Sequence, residues 1–270
     1  MSKSYEIRMG LAMQPLRQPV IRRMIKVLQL PPGSRGLDAG CGLGQQAMLL
    51  AQELGPAGRV TGLDTSAELL DYSRGLVEQA GLSDRIALKQ GDIAAIPFED
   101  GAFDWVWSCD CVGYAPVDPM PFLREMMRVV RPGGVIAIAA WSSQVMLPGY
   151  PRLEARLGAT SAGIAPFTYG KDPAGHFLRA LGWFNRLGLA QLQAETFAGG
   201  CHAPLSQEIR TALAALLEMR WQGAEEELSA EDRAEFARLC TPTSPDFILD
   251  SPDYYMLFTY SLFWAVRPAE

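Results

Sequence analysis

The chain has 270 residues, of which 49% are apolar and 20% charged, with a formal net charge of −6. A chain of this length buries roughly three quarters of its unfolded surface, so it needs no disulfide or metal staple. The acidic balance argues against binding nucleic acid through phosphates, which favour a basic surface. Five cysteines (41, 109, 111, 201 and 240) without regular spacing argue against a disulfide framework. The polar first ten residues lack a signal-peptide core, and the most apolar late stretch, 254–266, is shorter than the ~20 residues a membrane span needs. These features lead us to expect a cytoplasmic protein with no membrane segment.

The elements follow in chain order. Residues 19–29 carry Val20, Met24, Val27 and Leu28 at helical spacing, and Pro31-Pro32-Gly33 stops that helix. A strand at 35–38 runs into a glycine loop, Gly40 to Gly44, and a helix spans 45–54. The strand 59–63 precedes a helix for which Thr65 is the expected cap, with Glu68 completing a capping box and Gly81 closing it. Strands are expected at 86–90 and 103–108, then a helix opened by Pro121. The turn Pro132-Gly133-Gly134 leads to a continuously apolar strand, 135–140, of the kind buried on both faces of a parallel sheet. The span 143–172, rich in Gly, Pro and Ser, shows no period. A helix at 174–187, a strand at 189–197, two helices within 204–240 separated by Glu225-Glu226-Glu227, and a closing strand at 254–266 complete the chain. Alternating strands and helices specify an α/β, doubly wound, mainly parallel sheet with helical insertions. One domain is expected, with an N-terminal lid at 1–29, a cofactor core at 30–142, and insertions at 143–172 and 201–252 that cover the site.

Leu37-Asp38-Ala39-Gly40-Cys41-Gly42-Leu43-Gly44 carries the chemistry. It follows a strand and opens a helix. Glycines at alternate positions permit a tight turn and remove Cβ atoms where a ligand lies against backbone. The dinucleotide fingerprint G-x-G-x-x-G needs glycine at position 45, which is Gln45, so a nicotinamide oxidoreductase is disfavoured. An acid two residues before the first glycine suits a cation better than a pyrophosphate. Asp64 ends the second strand, where a carboxylate accepts hydrogen bonds from both ribose hydroxyls of a nucleoside.

This D-x-G-x-G-x-G loop resembles the first motif of the class I S-adenosylmethionine (SAM) methyltransferases, in particular the small-molecule branch that includes quinone-biosynthesis C-methyltransferases. The likeness spans about residues 30–142. It implies SAM as cofactor and a small, apolar or aromatic acceptor methylated by in-line displacement. It further implies that Asp38, Gly40, Cys41, Gly42 and Gly44 hold the amino-acid end of SAM, that Asp64 and Thr65 flank the ribose, and that Asp92 and Ile93 serve the adenine. Phe103 to Ser108 resembles the fourth-strand motif, and Arg131-Pro132-Gly133-Gly134 the turn before the fifth strand. Relatives often fold an N-terminal segment over the cofactor, which brings Tyr5 or Arg8 to its methionine end.

In open α/β sheets ligands sit at the carboxyl ends of strands, so Ser108, Cys109, Asp110, Cys111 and Tyr114 are the acceptor-side candidates. Asp110 and Tyr114 are the groups able to orient or deprotonate an acceptor. The family often has Asn or His here, and residues 108–115 have neither. Cys109 and Cys111 raise the alternative of arsenite methylation, but Cys-x-Cys is poor metal spacing, and no metal site is expected. His176 and His202 read as structural. A non-catalytic SAM-binding protein is the other reading. The sequence leaves the oligomeric state open, a homodimer included.

Overall fold

The computed structural model describes residues 3–113, 117–165 and 172–269. The chain divides into two compact units, each built from three stretches. A sheet unit comprises Val20–Trp141, Asp172–Phe197 and Tyr260–Glu270; a helical unit comprises Met1–Pro19, Ser142–Lys171 and Ala198–Thr259.

Seven strands form one sheet: β1 (Arg35–Ala39), β2 (Arg59–Asp64), β3 (Ile86–Gln90), β4 (Phe103–Cys109), β5 (Val130–Val145), β6 (Ala190–His202) and β7 (Tyr255–Val266). Their order is β3-β2-β1-β4-β5-β7-β6. The first five pair in parallel, with Asp38 level with Gly62 on one side and Trp107 on the other. β7 runs against both neighbours. Gly134 bonds to Arg267 and Ser142 to Thr259, while Thr196 bonds to Ser261 and Ala203 to Tyr254, so the index falls on β7 as it rises on β5 and β6. The order reverses direction between β1 and β4, and such a switch point opens a crevice at the carboxyl ends of those strands.

Around the strands lie α1 (Lys3–Ala12), α2 (Gln14–Val27), α3 (Gln45–Glu53), α4 (Ala67–Gln79), α5 (Met120–Val129), α6 (Pro151–Ala159), α7 (Ser161–Ile164), α8 (Ala180–Arg186), α9 (Gln207–Arg220) and α10 (Ala230–Cys240). On one face of the sheet, Leu123, Met126 and Val129 of α5 and Trp183 and Phe184 of α8 join Val106, Ile136, Ile138 and Phe263 in a single buried cluster. Gly36 has no side chain because the Trp105 ring occupies that place, and the Trp105 indole donates to Ser34 Oγ at 3.0 Å. Trp107 donates to Gln46 Oε1 at 2.7 Å, which ties β4 to the start of α3.

Three expectations on elements need correction. The cap of α4 is Ser66, not Thr65: Asp64 Oδ1 accepts the Ser66 N–H at 2.9 Å, and this turn carries the chain one residue further before Ser66 Oγ accepts from Leu69 N–H. The N-terminal segment expected as a lid ahead of one helix is itself helical from Lys3, and α2 starts at Gln14 with Pro19 inside it. The span 143–172 contains the end of β5 and two short helices, α6 opening with Pro151 at its first position.

The helical unit is held by buried leucines, among them Leu153, Leu157, Leu213, Leu216 and Leu239. Glu154 accepts the Met146 and Leu147 N–H groups at 2.6 and 3.2 Å, and Arg220 donates to the Ala162 carbonyl at 2.8 Å. Arg156 pairs with the buried Asp232, which also accepts from Ser229 Oγ at 2.7 Å. No helix among the described residues is long and apolar enough to cross a membrane.

Candidate cofactor site

The glycine loop is pinned before it meets any ligand. Gly40 and Cys41 N–H groups both donate to the Leu63 carbonyl of β2, at 2.8 and 3.0 Å, and Gly44 N–H donates to the Cys41 carbonyl at 2.8 Å. Gly40, Gly42 and Gly44 have φ of 83°, 51° and 69°, the left-handed region that favours glycine. Their surroundings differ. A Cβ at Gly40 would stand 2.5 Å from Cys111 Sγ and 3.4 Å from Ile93 Cδ1, and one at Gly44 would collide with Ser73 Oγ. A Cβ at Gly42 would meet nothing within 4 Å. The outer two glycines are thus required by packing, while the middle one faces open space.

Asp38 lies beneath this loop, only 1% exposed, and its Oδ2 has no hydrogen-bond partner. Burial and the neighbouring Asp64 charge push its carboxyl up to about 7, against the pull of the Ala47 N–H in the first turn of α3. A buried carboxylate with one unmatched oxygen is costly alone and well suited to a cation.

Asp64 is already engaged on both oxygens: Oδ2 accepts Gly42 N–H at 2.8 Å and Oδ1 accepts Ser66 N–H. Each oxygen keeps a second lone pair for a ligand. Thr65 is exposed, its carbonyl held by Gln90 Nε2 at 2.9 Å. Asp92 is exposed and caps the short turn Ile93–Ala95 through Ala94 N–H at 2.8 Å, while Ile93 is buried against the glycine loop. Two residues that no motif singled out hold this corner. Glu125 of α5 accepts the Ile96 N–H at 2.8 Å, and Arg128 donates to the Ile96 and Phe98 carbonyls, each at 2.8 Å. Their only sequence signal is an acid and a base three apart on one helix.

After β4 the chain turns inward. Ser108 is fully buried and its Oγ accepts from Val112 N–H. Burial, followed by the Asp64 charge, pushes the Cys111 thiol up to about 11, and burial also holds the Cys41 thiol far above its ordinary value. No group of three metal-ligating side chains occurs among the described residues. Asp110, a catalytic candidate, is held by its own neighbours. It adopts φ 54°, its Oδ1 accepts Trp141 N–H at 2.9 Å and its Oδ2 accepts the Tyr260 hydroxyl at 2.8 Å. The carboxylate clamps β4 to β5 and β7. Tyr114, the other catalytic candidate, lies outside the described residues. Tyr5 belongs to the helical unit, where the Arg8 guanidinium sits 5.3 Å from its ring centre. His176 Nδ1 accepts from Leu178 N–H and His202 Nδ1 bonds to the Ala203 carbonyl, both local roles.

The parallel sheet and its switch point form a Rossmann-like core, with the acid-led glycine loop at the carboxyl end of β1. Residues 37–138 match the family model described as methyltransferase domain. A demethylmenaquinone methyltransferase of Listeria welshimeri is 36% identical over 132 residues, 49% of this chain and 55% of that protein. The chain thus spans about half the length of the curated relatives it matches. Two solved structures are similar in fold. The YcgJ protein of Bacillus subtilis has a TM-score of 0.59 at 17% identity, covering 94% of this chain and 100% of that one. Geranyl diphosphate methyltransferase in complex with SAM has a TM-score of 0.55 at 18% identity, covering 98% and 91%.

Proposed function

We propose that the protein is a SAM-dependent methyltransferase acting on a small, apolar or aromatic acceptor. One observation carries the reading: the orphaned, buried Asp38 Oδ2 beneath a glycine loop whose middle residue faces open space. The residues present fit SAM, whose α-ammonium group matches the unmet carboxylate oxygen and whose ribose hydroxyls match the second lone pairs of Asp64. Asp38, Gly40, Cys41, Gly42 and Gly44 would form the cradle, with Asp64 and Thr65 beside the ribose and Asp92 and Ile93 beside the adenine. Ser108 shapes the turn beneath the reacting end, and Tyr5 is assigned to the methionine end on the family resemblance alone.

When bound, SAM supplies an electrophilic methyl group with a neutral thioether as leaving group. The chain's own task is positioning, which contributes up to roughly 7–11 kcal/mol. Asp38 would neutralise the ammonium, and the two pinned loops around Asp64 and Ile96 would hold the nucleoside. Asp110 supports the loop after β4 through its bonds to the Trp141 N–H and the Tyr260 hydroxyl. The names of the curated relatives support an aromatic ring as acceptor, and five cysteines without a disulfide among the described residues suit a cytoplasmic setting.

The test is calorimetric titration with SAM and S-adenosylhomocysteine, followed by turnover of SAM against hydroxylated naphthalene and quinol acceptors. Saturable binding that Asp38→Asn weakens at least about tenfold, with S-adenosylhomocysteine formed, is expected. No binding at millimolar SAM would sink the cofactor assignment. Binding without turnover across the panel would leave a SAM-binding protein in place of an enzyme.

A further inference from the structure

Gln46 is the second residue of α3, the helix that the glycine loop opens. Its Oε1 accepts the Trp107 indole N–H at 2.7 Å. An indole nitrogen donates and never accepts, so this bond fixes which end of the amide faces the sheet. Oε1 is turned towards Trp107 and the NH₂ group away from it. Trp107 stands level with Asp38 on the adjoining strand, and Asp38 accepts the N–H of Ala47, the residue after Gln46. The amide is therefore held beside the buried carboxylate beneath the loop. Gln46 is half-buried, its Nε2 bonds to no group among the described residues, and that nitrogen is not one of the sealed polar atoms, which include Asp38 Oδ2. Its N–H donors are open to a ligand.

The charges around the loop limit what this donor can serve. The stretch between Arg35 and Arg59 contains no lysine, arginine or histidine. Two acids, Asp38 and Asp64, gather at the loop. SAM carries an α-ammonium and an α-carboxylate on one carbon, so a site that takes its amino-acid end must satisfy both signs. A basic side chain beside the loop would pair with Asp38 and cancel the charge that the ammonium needs. A neutral amide donor serves the carboxylate and leaves Asp38 unmatched. Hydrogen bonds to an ionised acceptor are roughly twice as strong as neutral ones, so one fixed amide has a measurable effect.

We propose that Gln46 is a cofactor-binding residue whose Nε2 donates to the α-carboxylate of SAM, with Trp107 as the positioning residue that sets the orientation of the amide. The assignment rests on the methyltransferase reading and deepens it. It makes the crevice selective for an intact amino-acid tail, and a nucleoside that carries an amine alone is held less tightly.

The test compares S-adenosylhomocysteine with its decarboxylated form, S-adenosylthiopropylamine, by calorimetric titration into the full chain. The two share nucleoside, sulfur and ammonium and differ only in the carboxylate. Gln46→Met is expected to weaken S-adenosylhomocysteine at least about tenfold and the decarboxylated form about twofold or less. Gln46→Glu keeps the shape of the side chain and an acceptor for the Trp107 indole, and so covers the case in which the methionine variant fails to fold. Its negative charge should also weaken S-adenosylhomocysteine at least about tenfold, while the decarboxylated form binds no less tightly than before. Equal losses for the two ligands would make Gln46 a structural tie between β4 and α3 and overturn the assignment, as would no loss for either. If both ligands bind the unaltered chain and neither variant separates them, this assignment alone falls. If neither ligand binds the unaltered chain, the cofactor reading falls and takes the assignment with it.

Discussion

Asp38 and Asp110 are both acids at the carboxyl ends of neighbouring central strands, yet their states are opposite. Asp110 has each oxygen matched, so removing it takes an acceptor from the Trp141 N–H and from the Tyr260 hydroxyl. Asp110→Ala is expected to cost about 1–3 kcal/mol in chemical denaturation for each bond lost, and Asp110→Asn less, because the amide oxygen still accepts the Trp141 N–H and the NH₂ donates to the Tyr260 hydroxyl oxygen in a reversed bond. Asp38 is left unmatched, and its carboxyl, raised from its ordinary value to about 7, binds a proton more tightly in the folded apo protein than in the unfolded chain. Its contribution to apo stability is therefore complete under acidic conditions and is lost as pH rises through about 7. The thermal midpoint of the apo protein should fall between pH 6 and pH 8, and Asp38→Asn should flatten that slope. SAM affinity should run the other way, strengthening over the same interval as the carboxylate ionises. A titration in which affinity is level from pH 6 to 8 would remove Asp38 from the ammonium site. The place of Asp38 beneath the glycine loop was readable because that loop begins two residues away. The bonds of Asp110 were not, because Tyr260 lies 150 residues further on and no spacing rule reaches it.

At the level of elements, β1 to β4 and the helices between them were readable because glycine and proline punctuate apolar runs of distinct period. The misses have local causes. Lys3–Ala12 has no apolar stripe and contains Gly10, so nothing in its pattern announces a helix. β6 passes through Gly199-Gly200, which reads as a turn; yet a side chain at Gly200 would strike the Met256 carbonyl of β7, so close strand approach is what the glycine provides. In the cofactor loop the same reasoning separates three glycines that look alike in sequence. Gly40→Ala and Gly44→Ala should lower stability by more than the roughly 1–3 kcal/mol of left-handed strain, because each also collides with a neighbour. Gly42→Ala should show the strain alone, with its larger effect in calorimetric SAM binding, where the new methyl fills ligand space. The clamp between α5 and the loop after β3 gives a further check. Glu125→Ala should weaken SAM at least about threefold with little change in melting temperature, as the Ile93 loop loses its anchor. A loss of stability without loss of affinity would show the clamp to be purely structural.

For the molecule as a whole, the sequence conveyed the sheet's class, while the make-up of the two compact units rests on contacts that it does not spell out. Each unit is assembled from three separated stretches, and periodicity carries no record of which stretches pack together. The strand order has a direct consequence for truncation. Because β7 lies between β5 and β6, a chain cut before Tyr255 keeps both of those strands without the partner that joins them. Such a fragment should be recovered as aggregate in size-exclusion chromatography, since bare strand edges recruit one another. The same placement bears on synthesis by the ribosome. More than a hundred residues emerge after β5 before the strand that seals its flank has been translated. Throughout that interval the nascent sheet presents an adhesive border, and a chaperone that shields it is the factor on which the yield of native protein would most depend.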